Sequence, residues 1–244
     1  GPLDVTRQIL GGRLGEYVAL RDQVLPRMQA ELDVSAAELA RRMDAQGLRL
    51  FTDASGNIPD RMLGYVAGGY AGFAQAIRVN SAVESNPAAL RDGTHAVSAV
   101  SGGPTAFSPN PSGGPAGFVT LLDRVLDHSL GNTASDGNPW PGFPSGGLGP
   151  DGSLTSAIAN ASTVEDYATQ LVRVHTEARA EATTAKDNAT AMQQGITARI
   201  SKQSGVDSDT EMAALVQLQN AYAANARVMT TAQAMFDALM GAVR

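Results

Sequence analysis

The chain has 244 residues, of which 43% are hydrophobic and 17% are charged, so its composition is that of a folded protein rather than a disordered one. Its net charge of -6 argues against nucleic acid and anionic membrane as partners, since both attract basic surfaces. The absence of cysteine excludes disulfides, thiolate metal sites and a cysteine nucleophile.

A helical pattern occupies the N-terminal part of the chain. Apolar residues recur there at spacings of three and four, and Gly47 is expected to end the helix. The members of this pattern are Leu25, Met28, Leu32, Ala36, Leu39 and Met43.

The middle of the chain is irregular and rich in glycine and proline. Its most apolar stretch, Met62 to Ile77, is too short and too often interrupted by glycine to span a bilayer. Periodicity leaves open whether Gly64 to Val79 forms a buried helix or an extended segment. Farther along, Phe118 to Leu130 is typical of a short amphipathic helix. We expect four of its residues to face inward: Leu121, Leu122, Val125 and Leu126.

Two long helices are predicted in the C-terminal part. Ser162 and Glu165 form the pattern of a capping box, and the apolar spacing continues to Gly205, which predicts a helix of roughly 60 Å. Ser208 and Glu211 repeat the capping pattern and predict the start of a second helix.

The last helix has a heptad pattern in two rows. The residues of each row are seven apart, and the rows are offset by three, which is typical of a coiled-coil seam. The first row is Leu215, Tyr222, Met229, Phe236 and Val243, and the second is Leu218, Asn225, Ala232 and Leu239. We predict that this seam is an assembly interface, with the polar Asn225 setting the register.

Burial of the seam is worth about 10 to 20 kcal/mol. Ordering more than thirty residues costs at least a comparable amount, so we expect the ordering of this helix to be coupled to assembly. The alternative is that the seam packs on its own chain, with the helix that ends at Gly205 as an antiparallel neighbour. The apolar stripe of that helix is mostly alanine, so it would cover only part of the seam and leave the rest for other chains. Both interpretations therefore stay open on the sequence.

The sequence offers little for chemistry. His95, His128 and His175 are far apart and have no ligand at metal-binding spacing, and the acids from Asp207 to Glu211 are typical of a helix start. We therefore predict no catalytic, cofactor or metal site. The proline-rich run around Trp140 is interpreted as a loop held by aromatic packing, with a peptide- or glycan-binding patch as the alternative.

Two segments of the chain carry a family resemblance. The run from Gly205 to Leu215, with the residues that follow to Leu239, resembles the C-terminal segment of flagellar rod, hook and hook-associated proteins. The segments Gly11 to Gly15 and Leu20 to Asp22 are similar to the FlgK family of hook-associated proteins, which join hook and filament.

The resemblance implies a structural protein, exported through the flagellar type III apparatus and located extracellularly in the flagellum. It implies as partners copies of the chain in a ring or helical lattice, the hook protein and the second hook-associated protein, with an export chaperone as a candidate partner of the C-terminal helix. It also implies an N-terminal helical segment. That segment is missing here, and Gly1, Pro2 and Leu3 look like a tag scar, so we interpret the chain as a C-terminal fragment.

The predicted fold is mainly α, with long antiparallel helices in a coiled-coil-like bundle and an irregular middle segment. We expect an axial helical segment over 1–50, a reduced outer segment over 51–154, a long core helix over 155–205 and an assembly helix over 207–244. Alternative functions are another axial protein (hook, rod or second junction protein), a non-flagellar coiled-coil stalk, and an extracellular enzyme on a flagellar scaffold. For the last, the helical zinc-protease motif is absent.

Overall fold

The computed structural model describes residues 12–158, 160–204 and 207–242. Three residues with a predicted role lie outside the described residues. They are Gly11 in the family resemblance, Gly205 as the predicted end of a helix, and Val243 as the last seam residue. The chain divides into two units, Gly1–Arg179 and Ala180–Arg244. The fold is mainly helical, as predicted, with four short strands in the described part. No described helix has the length and apolarity needed to cross a membrane.

The first unit is built on an N-terminal helical rod. Helix α1 (Gly12–Ala19) continues through a π-helical turn (Leu20–Val24) into α2 (Leu25–Ala45). The predicted end of this rod is confirmed at Gly47, which has a φ of 100° and so occupies a region that favours glycine. A Cβ atom there would lie 2.3 Å from the ring of Phe107, so both the backbone and the packing require glycine.

The middle segment folds as short elements around α2. Strands β1 (Phe51–Thr52) and β2 (Arg78–Val79) pair antiparallel, with Phe51 opposite Val79. Between them the chain forms a 3-10 turn (Arg61–Leu63) and helix α3 (Phe73–Ala76). Gly64 to Val79 is therefore neither one helix nor one extended segment. Its glycines break it into turns.

Four further short elements complete this segment. They are α4 (Ser81–Ser85), α5 (Ala89–Asp92), α6 (Thr120–Arg124) with a following π-helical turn (Val125–Ser129), and the antiparallel strands β3 (Thr133–Ser135) and β4 (Asn138–Pro139). The predicted amphipathic helix is confirmed, but its inward face is only partly right. Leu121 is buried and Val125 is half-buried, whereas Leu122 and Leu126 are exposed.

Helix α2 buries a different face from the one its large apolar residues suggest. Ala30, Val34 and Ala37 are fully buried, while Leu25 and Leu32 stand exposed. Small side chains on the buried face let the middle segment approach α2 closely. The same face also carries buried polar and charged residues, which are Glu31, Asp33, Glu38, Arg42 and Gln46.

These buried charges are held by specific hydrogen bonds. Asp33 accepts bonds from the Tyr65 hydroxyl at 2.6 Å, from the backbone N–H groups of Gly72 at 2.9 Å and Ala74 at 2.8 Å, and from the Gln29 amide. Through them α2 fixes the turns of the middle segment, since losing one partner would leave buried polar groups unsatisfied.

The long helix α7 (Val164–Ser204) runs antiparallel to α2 where the two meet in the first unit. The Arg42 guanidinium donates to the Ser162 carbonyl oxygen at 3.1 Å, and His175 Nε2 lies 2.7 Å from Glu31 Oε2. Ser162, just before α7, and His175 on α7 thus meet Arg42 and Glu31 in reverse order along α2, so the two helices run antiparallel there.

The cap of α7 differs from the predicted one. The Thr163 hydroxyl oxygen accepts from the Asp166 backbone N–H at 3.0 Å, and the Asp166 carboxylate accepts from the Ser162 backbone N–H at 3.2 Å. The capping residue is thus Thr163 with Asp166, not Ser162 with Glu165. Both pairs have capping chemistry in the same spacing, so the sequence could not decide between them.

The buried tyrosines predict an alkaline loss of stability. Burial, helped by the nearby carboxylates, raises the pKa of Tyr65, Tyr70 and Tyr167. An unfolded tyrosine releases its proton near pH 10, so above that pH each buried tyrosine removes about 1.4 kcal/mol of stability per pH unit. Arg42 offsets the loss from one tyrosine. Burial lowers the pKa of its guanidinium to about 10, so above that pH the unfolded chain holds this proton better than the folded one, and this contribution to stability rises with pH.

We therefore expect urea unfolding, followed by fluorescence of the single tryptophan Trp140, to show stability that is nearly constant from about pH 7 to about pH 9 and falls steeply above about pH 10. Above pH 10 the stability of the Tyr70→Phe variant should fall less steeply, by about 1.4 kcal/mol per pH unit, because the variant has one buried tyrosine fewer. Equal unfolding midpoints at pH 8 and pH 11 would contradict this account.

Candidate assembly helix

Helix α8 (Ser208–Ala242) contains the predicted seam. Its 35 residues give a length of roughly 50 Å, and no proline interrupts it. Asp207, rather than the predicted Ser208, caps its first turn, since the Asp207 carboxylate accepts from the Asp209 backbone N–H at 3.1 Å and from the Thr210 hydroxyl at 2.9 Å. The Thr210 hydroxyl and these backbone groups lower the pKa of Asp207. The Asp207 carboxylate thus stabilises the first turn of α8, which is the role expected of an acid at a helix start.

The seam residues all face solvent. Eight of the nine predicted members lie in the described part, and each of the eight is exposed. The six large apolar ones, which are 53% to 72% exposed, are Leu215, Leu218, Tyr222, Met229, Phe236 and Leu239. The two smaller members, Asn225 and Ala232, are exposed between them. The structure thus brings the predicted side chains into one continuous surface that the other described residues of the second unit leave uncovered.

The apolar surface of α8 is wider than the two-row seam. Val228 and Met235 belong to a third heptad row, with Ala214 and Ala221, and they are 66% and 70% exposed. Between residues 212 and 242 the only charged residues are Arg227 and Asp237. A helix that is apolar over more than one face is normally buried on more than one side. The surface therefore suits contact with more than one neighbour.

Within the second unit, the described residues show no packing of the seam on the preceding helix. Every residue with a described side chain from 176 to 241 is exposed, which includes both α8 and the second part of α7. The described residues of α7 in this unit therefore do not cover the seam. The apolar stripe of α7 is mostly alanine, which offers little apolar area to bury.

The histidines have partners that local spacing could not reveal. His175 pairs with Glu31, which is 144 positions away in the chain, and His95 Nε2 lies 3.7 Å from Asp44 Oδ1. Glu31 is also bonded by the Ser156 hydroxyl at 2.7 Å, so it joins α2 to two later segments. Within the described residues no group of three metal-ligating side chains comes together.

The Trp140 loop is held by packing. The indole N–H donates to the His128 carbonyl oxygen at 2.6 Å, and the guanidinium groups of Arg41 and Arg42 lie 5.1 Å and 5.3 Å from the ring centre. Trp140 is buried, so its ring is not displayed to a ligand. The interpretation of this loop as one fixed by aromatic contacts is confirmed.

A comparison with known protein families finds a match in the C-terminal part of the chain. Residues 199–242 match the family described as flagellar basal body rod FlgEFG protein, C-terminal. No curated protein and no solved structure matches the chain. The matched range includes every described member of the seam, from Leu215 to Leu239. The match supports a structural protein of the flagellar rod and hook family.

Proposed function

We propose that this chain is an adapter at the junction of hook and filament, of the FlgK type, and that it assembles through α8. The observation that carries the proposal is the exposed seam from Leu215 to Leu239, which coincides with the family match. The assignment to the junction rests on the resemblance of Gly11 to Gly15 and of Leu20 to Asp22 to that family.

The physical role of the seam is to couple the position of α8 to its neighbours. Burying each large apolar side chain contributes about 1.5 to 3 kcal/mol, whereas an isolated helix is marginal in water. Contacts with adjacent helices therefore supply most of the stabilisation of α8. Asn225 fixes the register, because a polar side chain in the seam is satisfied only opposite another polar group.

The proposed partners follow from this role. They are copies of the chain in a ring or helical lattice, the hook protein and the second hook-associated protein. An export chaperone is a further partner for the apolar face of α8, which would otherwise be exposed before assembly. The site of action is extracellular, in the flagellum, after export through the type III apparatus. In this scheme the chain comprises an axial segment over 1–50, an outer segment over 51–154, a core helix over 155–205 and the assembly helix over 207–244.

The seam is tested by placing charge on it. The double variant Met229→Glu and Phe236→Glu introduces carboxylates that must be desolvated in any packed assembly, so we expect it to abolish incorporation at the hook tip. Deletion of residues 207–244 should have the same effect and leave the first unit folded. Incorporation is measured by labelled antibody on flagella, and folding by the Trp140 fluorescence transition.

The matched control places the same charge on the opposite face of α8. Asn220 and Thr230 lie there in the heptad, away from both the seam and the third row, and both are exposed. The variant Asn220→Glu with Thr230→Glu should incorporate far better than the seam variant. Equal incorporation of the two variants, or normal assembly of the truncated chain, would show that the seam is not the assembly element. Label along the rod or the hook, instead of at the junction, would favour another axial protein.

A coiled-coil stalk is the second candidate function, and the heptad rows of α8 favour it. It predicts a tight parallel homodimer at low concentration, because two seams would cover each other. The junction proposal predicts a monomer under the same conditions, since the wide apolar face of α8 needs more than one neighbour. Sedimentation of the chain across a dilution series distinguishes them.

A further inference from the structure

A small cavity opens in the first unit between the 3-10 turn region and the loop that follows β4. Its volume is about 200 Å³, below the roughly 300 Å³ at which pockets for drug-sized ligands begin. Tyr65 and Tyr70 line it and are buried, whereas the three glycines that line it, Gly64, Gly146 and Gly147, are exposed. The cavity is therefore closed at the tyrosine rings and open at the glycines, with room for one small chemical group.

The charged group in the wall of this cavity is the guanidinium of Arg61. Its Nη1 lies 3.5 Å from Glu38 Oε1, and its two terminal nitrogens donate to the carbonyl oxygens of Pro141 and Gly142. These contacts fix the guanidinium at the cavity, where its side chain stays 28% exposed. Among the described residues no hydrogen bond uses Arg61 Nε, so this nitrogen keeps a donor for a ligand.

Positive charge exceeds negative charge around the cavity. Besides the guanidinium in the wall, the buried Glu38 carboxylate has Arg41 at 2.6 Å and the Arg42 guanidinium at 4.0 Å. The second carboxylate on this side of α2 is that of Asp33, which accepts from the Tyr65 hydroxyl. Three guanidinium groups thus stand against two carboxylates, which leaves one positive charge without a counterion in this described group.

The surroundings of Arg42 reflect the excess charge. Its side chain is fully buried, and its Nε and Nη2 have no hydrogen-bond partner among the described residues. Burial lowers the pKa of Arg42 to about 10, against the opposing attraction of Glu38. Repulsion from Arg41 and Arg61 lowers this pKa further. An anion beside the exposed guanidinium would offset the repulsion within the group.

We propose that this cavity binds a carboxylate with a short aliphatic stem. The carboxylate accepts charge-assisted hydrogen bonds from the Arg61 guanidinium, and the stem lies against the rings of Tyr65 and Tyr70. The hydroxyls of these tyrosines already donate to Asp33 and Glu38, so the rings present apolar surface to the ligand.

The same chemistry has two sources, a free short-chain carboxylate and a glutamate side chain of a partner. All the residues that would bind it lie in the first unit and none on α8, so this proposal and the proposed function can fail separately.

Butyrate and its neutral isostere butyramide test the charge requirement on the unmodified chain. Each compound is titrated into the isotope-labelled full chain at constant ionic strength, and the backbone amide shifts are followed by NMR. We expect saturable shifts of the Gly146 and Gly147 amides with butyrate and about tenfold weaker binding of butyramide, which lacks the charge that Arg61 recognises. Equal binding of the two compounds, or no response to butyrate, would overturn the proposal.

A matched pair of variants tests the location. Gly146→Asp places a carboxylate at the mouth of the cavity, and Gly117→Asp places the same charge at a glycine that does not line it. Both glycines are exposed and have open space where a Cβ would lie, so both variants retain the fold, which the Trp140 transition checks. We expect about threefold weaker butyrate binding for Gly146→Asp alone, because like charges repel. Equal binding by the two variants would contradict the assigned site.

Two short blocked peptides distinguish the sources of the carboxylate. One contains a single glutamate between glycines and the other contains glutamine in its place. Tighter binding of the glutamate peptide than of butyrate supports the proposal with a partner's acidic side chain as the ligand. Tighter binding of butyrate supports it with a free carboxylate. A glutamine peptide that shifts the same amides as strongly as the glutamate peptide would overturn recognition by charge.

Discussion

The proposed role depends on the exposure of large apolar side chains of α8 to water, which is unfavourable in free energy. Six of them are more than half exposed along one seam, and Val228 and Met235 widen the apolar surface. The Asp207 cap stabilises only the first turn, a contribution that is small beside the hydrophobic burial that remains unrealised along the seam. Only contact with other apolar surfaces can recover that free energy.

The first unit, in contrast to α8, buries apolar residues within its own fold. Its central helix α2 buries small apolar residues together with charged ones, and the buried Asp33 carboxylate accepts bonds from a tyrosine hydroxyl and from backbone N–H groups. Arg42 also stacks 4.7 Å from the ring centre of Phe143. A hydrogen-bonded centre of this kind specifies one arrangement of the short middle elements, although they contain little regular structure. The unit therefore holds its own fold, whereas α8 has its apolar surface available for partners.

The sequence predicted the helices well because their signals are local. The periodicity of α2, the length of α7 and the heptad rows of α8 all come from residues a few positions apart. The caps were displaced by one residue at Thr163 and Asp207, because neighbouring polar residues offer the same hydrogen bond. Within the candidate site the exposed row from Leu215 to Leu239 could be named in advance, but whether it packed within the chain could not.

What the sequence could not predict depends on distant contacts. Apart from the Gln29 amide, the side-chain and backbone partners described for Asp33 and Glu31 lie 32 to 144 positions away, and no local pattern marks them. For the same reason the sequence assigned Leu122 and Leu126 to the core. A helix with apolar residues on two sides gives one periodic signal, and only the packed structure decides which side is covered.

Hydrogen exchange tests, without any substitution, the proposal that neighbouring helices cover α8 in the assembled flagellum. Amide exchange of peptides from residues 208–242 is measured for the isolated chain and for the chain incorporated at the hook tip. We predict fast exchange in the isolated chain and strong protection from Leu215 to Leu239 after assembly, while the first unit is protected in both. Exchange of α8 that stays equally fast in the assembled state would contradict the account.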